Sequence, residues 1–197
     1  MTIHDPMKRI QQHFEESAQL AQQLLGDNAF LEAMQQGAEL LVGALGSGHK
    51  ILTCGNGGSM CDAMHMAEEL SGKYREDRPP FAALAMSDAS ALTCIGNDYG
   101  FDQVFSRQTQ ALGKPGDVLV CISTSGNSQN VLQAARKGKE IGMHVLSLTG
   151  NGGGALGDLA DVDVSVPWSG FADRIQEVHI RCIHSWIDAI EQALTQG

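Results

Sequence analysis

The chain has 197 residues, 43% hydrophobic and 18% charged, with 13 Lys and Arg against 23 Asp and Glu for a net charge of −10. This balance excludes a disordered chain, which combines low hydrophobicity with high charge. It also argues against non-specific nucleic-acid binding, which needs a basic stripe to displace counterions.

The first 47 residues carry two helical periods, Met7, Ile10, Phe14, Ala21, Leu24 and Leu25, then Phe30, Met34, Ala38, Leu41 and Leu45. Gly46, Ser47 and Gly48 stop the second. Short apolar strands and helices then alternate. Strands are expected at 50–54, 81–86, 118–122, 143–148 and 162–166. Helices are expected from the glycine loop after residue 54 to about Tyr74, at 89–96, 102–112 and 128–141, and from Asp173 to about Leu194. A short helix is also expected between the last two strands. This order predicts an α/β fold with a parallel sheet covered by helices on both faces. The two leading helices have no strand of their own, and their apolar stripes suggest a subunit interface.

No apolar run approaches the ~20 residues that span a bilayer. The start, MTIHDPMKRIQQHF, has no apolar core of a secretory leader. Five cysteines, mostly in apolar contexts and never spaced C-x-x-C, read as reduced core thiols. The expected compartment is therefore the cytoplasm, with neither nucleic acid nor membrane as a partner.

In parallel sheets, ligands bind beyond the carboxyl ends of the strands. Ser123-Thr124-Ser125-Gly126-Asn127-Ser128 lies there, with four hydroxyls and the free N–H groups of a helix start. Those donors and the helix dipole suit a phosphate, although an ordinary N-cap at Ser128 explains part of the pattern. Gly55-Asn56-Gly57-Gly58-Ser59 allows close backbone approach to a ligand and is not a Walker A loop. Gly150-Asn151-Gly152-Gly153-Gly154-Ala155 matches G-x-G-x-x-A, but it comes late, before a short helix, and reads as a flexible turn.

His65 and Glu69 lie about 40° apart on one helix face, opposite the stripe Ala63, Met66, Ala67, Leu70 and Tyr74. They form either an ordinary exposed pair or half of a site. On the last helix His179 falls in the buried stripe and reads as a packed core histidine. Gln176 and His184 lie about 80° apart along one edge. Imidazole and carboxylate suit zinc, but Gln is an uncommon ligand, so residue chemistry alone leaves a four-residue metal set open.

The segments CGNGGSMCDAMHMAEEL, IGNDYGF, ISTSGNS and ADRIQEVHIRCIH resemble the phosphoheptose isomerase family, single-domain members of the SIS (sugar isomerase) group. The resemblance runs over nearly the whole chain. It implies one SIS domain over residues 1–197, with an N-terminal helical hairpin at 1–47 and an α/β core at 48–197. The fold would be a three-layer αβα sandwich on a five-stranded parallel sheet. The implied assembly is a homotetramer, with the N-terminal helices in the interface and active sites shared between subunits. The implied reaction converts sedoheptulose 7-phosphate to glycero-manno-heptose 7-phosphate through a cis-enediolate, the first step of ADP-heptose synthesis for lipopolysaccharide. Residues matched to substrate contact are Asn56, Gly57, Gly58, Glu69, Asn97, Asp98, Ser123, Thr124, Ser125, Ser128 and Gln176. One Zn2+ per subunit would be held by His65, Glu69, Gln176 and His184, with Glu69 as base and His184 as acid. Lys73 stands where the family usually has Arg, and the two are not equivalent at a bidentate site. A related replication-initiator-binding protein shares the RIQE segment, but lacks the Glu and the late His present here as Glu69 and His184. A non-catalytic sugar-phosphate sensor is the other alternative.

Overall fold

The computed structural model describes residues 5–195; the first four residues, read above for a leader, and the last two lie outside the described residues. Asp5 starts α1 (Pro6–Leu25) by accepting the Met7 N–H at 3.0 Å, and Asp27 starts α2 (Asn28–Gly46) by accepting that of Phe30 at 3.1 Å. Then follow β1 (Ile51–Gly55), α3 (Gly58–Ser71), β2 (Ala83–Ala85) and α4 (Ala89–Tyr99). A single 3-10 turn (Phe101–Gln103) leads to α5 (Ser106–Leu112), β3 (Val118–Ser123), α6 (Gln129–Ile141) and β4 (His144–Gly150). The chain closes with α7 (Gly154–Leu159), β5 (Val162–Val166) and α8 (Ala172–Thr195).

All five strands are parallel, in the order β2-β1-β3-β4-β5. Period-2 alternation splits each inner strand between two cores. Val118, Val120 and Ile122 face a layer built from α1, α2, α3 and α8, whereas Leu119 and Cys121 face the layer containing α6 and α7. The expected three-layer αβα sandwich is therefore present, with every residue of β1 and β3 buried.

Several boundaries shift for identifiable reasons. The edge strand β2 is three residues long, not six, and its Leu84 is half exposed. The α3 helix stops at Ser71 because Gly72 leaves helical dihedrals (φ −97°, ψ −129°), three residues short of expectation. The expected helix at 102–112 is broken into a 3-10 turn and α5, and Ser128 caps α6 rather than joining it. The N-terminal pair also divides differently from expectation. Leu41 of α2 is fully buried, and the Trp186 indole N–H donates to the Met34 carbonyl at 2.9 Å, so α2 belongs to the layer over the sheet. It is α1 that keeps a bare apolar side, at Met7, Ile10, Phe14 and Leu25. Of the cysteines, all free, Cys54, Cys121 and Cys182 are buried, while Cys61 and Cys94 are exposed and do not fit the core reading.

His179 is the buried core histidine expected, its Nε2 at 2.9 Å from the Thr149 carbonyl oxygen. Burial pulls its pKa from 6.5 down to about 4, against the opposing effect of that hydrogen bond. A depressed histidine pKa means that the unfolded chain takes up the proton first as the pH falls. The associated stability is present above about pH 6.5 and lost progressively toward pH 4, at no more than about 1.4 kcal/mol per pH unit. His179→Gln, which keeps a donor for Thr149, should flatten this slope. Urea melts of both proteins at pH 7, 6 and 5 check it; identical acid sensitivity would exclude His179 as its source.

Candidate active site

The glycine loop after β1 and the hydroxyl loop after β3 emerge side by side because those strands are neighbours in the sheet. A reciprocal amide pair joins them, with Asn56 and Asn130 each donating to the other at 2.8 Å. Asn130 is buried at the start of α6, so the Asn56 side chain is held as a strut between the two loops. In the hydroxyl loop the Ser123 and Ser128 oxygens lie 3.1 Å apart, and Ser125 Oγ accepts the Asn127 N–H at 3.2 Å. Thr124, Ser125 and Asn127 open into a cleft of about 360 Å³ that also meets Asn151, Trp168 and Gly170.

The third glycine loop proves to be a support, not a loose turn. The Leu156 N–H donates to the Gly126 carbonyl at 2.9 Å, and the Ala155 N–H to Asn127 Oδ1 at 3.2 Å. The backbones are so close that a Cβ on Gly126 would lie 1.9 Å from the Gly153 carbonyl oxygen.

The acid–base candidates gather between α3 and α8. His65 and Glu69 share one face of α3, with His65 Nε2 at 3.4 Å from Glu69 Oε1. Across the helix interface His184 Nε2 lies 3.0 Å from His65 Nε2. These three donor atoms fall within 4.8 Å of one another. Tetrahedral zinc with bonds of about 2.0–2.1 Å holds its ligands about 3.3 Å apart, and an imidazole–imidazole–carboxylate set is chemically apt. The residues therefore fit a divalent metal. Glu68 Oε1 lies 3.5 Å from His65 Nδ1, on the other edge of the ring from Nε2. The Tyr74 ring lies 5.7 Å from that of His184.

Other expected site residues fall elsewhere. The amide of Gln176 packs on the start of α3, where a Cβ on Gly58 would lie 2.5 Å from its nitrogen. Gly58 is about two turns before His65 on the same helix, so the Gln176 amide packs on the first turn of the helix that carries His65 and Glu69. Asn97 and Asp98 sit at the exposed end of α4, bonded to each other at 2.7 Å. Lys73 is exposed in the loop after α3. Asp62 was not expected: one of its oxygens is buried without a partner, and burial raises its pKa to about 6 against the pull of His65. Its place three residues before His65, on the same face, was the available signal.

Residues 12–150 match the SIS domain family. The chain is 49% identical to the phosphoheptose isomerase of Escherichia fergusonii over 187 residues, covering 95% of this chain and 97% of that one. Among solved structures, a phosphoheptose isomerase from Neisseria gonorrhoeae superposes with a TM-score of 0.89 at 46% identity, over 95% of this chain and 100% of the other. One from Francisella tularensis gives 0.90 at 38% identity, over 95% and 99%.

The contact between loops gives a graded stability test. Gly126→Ala combines a left-handed φ of +64° with a backbone collision, whereas Gly152→Ala, at φ +86°, meets nothing within 4 Å. Chemical denaturation should find Gly126→Ala less stable by roughly 2–4 kcal/mol, and Gly152→Ala by about 1 kcal/mol. Equal losses would mean that the two loops can separate without cost.

Proposed function

The chain belongs to the phosphoheptose isomerase family of SIS-domain proteins, and from that membership and the His65–Glu69–His184 group we propose how it interconverts sedoheptulose 7-phosphate and its aldose isomer. The observation that carries the reading is the convergence of a carboxylate and two imidazoles from helices 119 residues apart in the chain. Ketose–aldose isomerisation needs a base over C1 and C2 and an acid beside their oxygens.

Glu69 takes a proton from C1 while His184 donates one to the C2 oxygen, giving a cis-enediol. His184 then removes the proton from the C1 oxygen as Glu69 returns its proton to C2, and the aldose results. One oxygen of Glu69 is needed by the cluster and the carboxylate has two, so holding a cation and moving a proton need not exclude each other. A divalent ion, for which zinc is our assignment at one per subunit, would be held by His65, Glu69 and His184 and supply charge stabilisation for the enediolate oxygens. Gln176 is the fourth ligand suggested by family resemblance, on the same helix as His184.

The phosphate is assigned to Ser123, Thr124, Ser125 and Ser128, at the N-terminus of α6. Asn56, Gly57, Gly58 and Gln176 are assigned to the sugar, at the other end of roughly 10 Å of α3 from the acid–base group. Asn97 and Asp98 remain assigned to substrate, and their exposure fits a site completed by a neighbouring subunit. Residues 1–197 are taken as one SIS domain acting in the cytoplasm. No helix of the described residues is long and apolar enough to cross a membrane. The bare side of α1, with Phe14 75% exposed and Leu25 67%, supports a homotetramer with α1 between subunits. Light scattering should give four chains at micromolar concentration, and a stable monomer would remove that assembly.

Glu69→Gln keeps the size of the side chain and removes the proton acceptor. Metal-replete Glu69→Gln should lose at least about 10²–10⁴-fold in kcat while still binding sugar phosphate. NMR in deuterated water should find wild-type exchange at C1 of sedoheptulose 7-phosphate and deuterium at C2 of the aldose formed, and neither in the variant. Exchange at the wild-type rate, with metal content confirmed equal, would reject Glu69 as the base.

A further inference from the structure

Glu69 occupies the last turn of α3, which ends at Ser71. The terminal carbonyls of a helix lack intrahelical partners, and such turns fray unless they are held. Here the Phe81 N–H donates to the Leu70 carbonyl at 3.0 Å, and the one side chain among the described residues that reaches both Glu69 and Leu70 is Arg78, from the polar loop that follows. Its guanidinium donates to the carbonyl oxygens of Glu69 at 2.7 Å and Leu70 at 2.8 Å. The remaining edge, Nε, donates to Glu191 Oε1 at 2.8 Å. The guanidinium carbon lies 4.5 Å from the centre of the Phe81 ring. The side chains of Arg78 and Glu191 are only 1% and 6% exposed, so this is a buried ion pair inside the interface between α3 and α8.

Glu191 stands seven residues, or about two turns, beyond His184 on α8. Arg78 therefore ties the backbone of the proposed base to the helix that carries the proposed acid. We propose that Arg78, with Glu191, is a positioning pair for the reaction: it locks the last turn of α3 against α8 and so sets the distance from Glu69 to His184. The proposal rests on the acid–base reading of those two residues. The chemistry suits arginine specifically. A planar fork can serve two carbonyls and a carboxylate at once, and its positive charge also complements the negative end of the helix dipole. A lysine in its place keeps the charge but cannot span the three acceptors.

A buried ion pair is weak as a stability device, because desolvation offsets most of its attraction, and apolar replacements of the whole pair are often neutral or stabilising. That separates geometry from stability in two variants, Arg78→Lys and the double variant Arg78→Met with Glu191→Met. Each would be compared with the wild type for kcat and KM on sedoheptulose 7-phosphate, for Zn2+ affinity of metal-free protein, and for amide hydrogen exchange in residues 66–72. In Arg78→Lys we expect kcat to fall about 10–100-fold, Zn2+ to bind about tenfold or more weakly, and KM to move by less than about threefold. Exchange should quicken in the last turn of α3. The double variant should stay folded and recover neither kcat nor Zn2+ affinity.

Wild-type kcat and Zn2+ affinity in a folded Arg78→Lys protein would overturn the proposal, and so would their recovery in the double variant. Should the double variant fail to fold, Arg78→Lys decides the question alone. A wild-type chain with neither turnover nor Zn2+ binding would instead overturn the acid–base reading on which the proposal stands.

Discussion

The site depends on one packing contact, that of α3 against α8 in the layer over the sheet. Both helices return across the same face of a parallel sheet, so they run in the same direction, and residues advancing along one meet residues advancing along the other. Ala63, Met66, Ala67 and Leu70 supply the buried side of α3, and Val178, Cys182, Ile183 and Trp186 that of α8. Three polar meetings mark the seam in sequence order. Gly58 receives Gln176, His65 faces His184, and the carbonyls of Glu69 and Leu70 reach Glu191 through Arg78. The middle meeting holds the proposed acid–base group and the outer two bracket it. A shift of one helix by a single turn, about 5.4 Å, would separate His65 from His184 altogether. The apolar seam provides adhesion, and the polar meetings fix its register.

The two ends of the candidate site are built by different means. The acid–base group stands on helices, where side-chain direction is set by backbone and packing. The loops proposed to hold the substrate stand on strand ends, and each is stiffened by a neighbour. The Asn56–Asn130 amide pair joins the first two loops, and the backbone of the third closes on Gly126 and Asn127. With both loops pinned, little ordering remains to oppose ligand binding. Such preorganisation raises affinity without new contacts.

Legibility in the sequence followed the range of the interactions. The strand and helix order could be read because alternation and the 3.6-residue period are local. His65 and Glu69 were visible as an i, i+4 pair, but an exposed pair has the same spacing. What makes them a site is His184, 119 residues away in sequence, and no periodicity encodes that meeting. It became foreseeable only through resemblance to a family. Arg78 was invisible for a related reason. It lies in RPP, within a polar loop that reads as solvated, yet its side chain is 1% exposed. Burial of this charged loop residue is decided by distant partners, the carbonyls where α3 stops and the Glu191 carboxylate on α8. The glycines of 150–154 misled in the opposite sense: their composition suggested looseness, while their lack of side chains permits tight backbone contact with Gly126.

The net charge of −10 sets a final constraint. A dianionic sugar phosphate approaches a protein that repels it at long range. At physiological salt that repulsion is screened beyond about 8 Å, so capture depends on what the proposed phosphate loop offers at contact. The loop STSGNS contains no Lys or Arg. Its resources are hydroxyls, backbone N–H groups and the positive end of the α6 dipole. Neutral donors bind an anion less tightly than arginine forks do, but they bring no cation that a distant carboxylate must neutralise. Hydrogen bonds also demand direction, so a cradle of donors orients the phosphate where an ammonium group would only attract it. Orientation at that end is what an isomerase requires, because the reacting carbons lie at the opposite end of the substrate. Binding energy gained far from C1 and C2 is then available to hold them against the acid and the base.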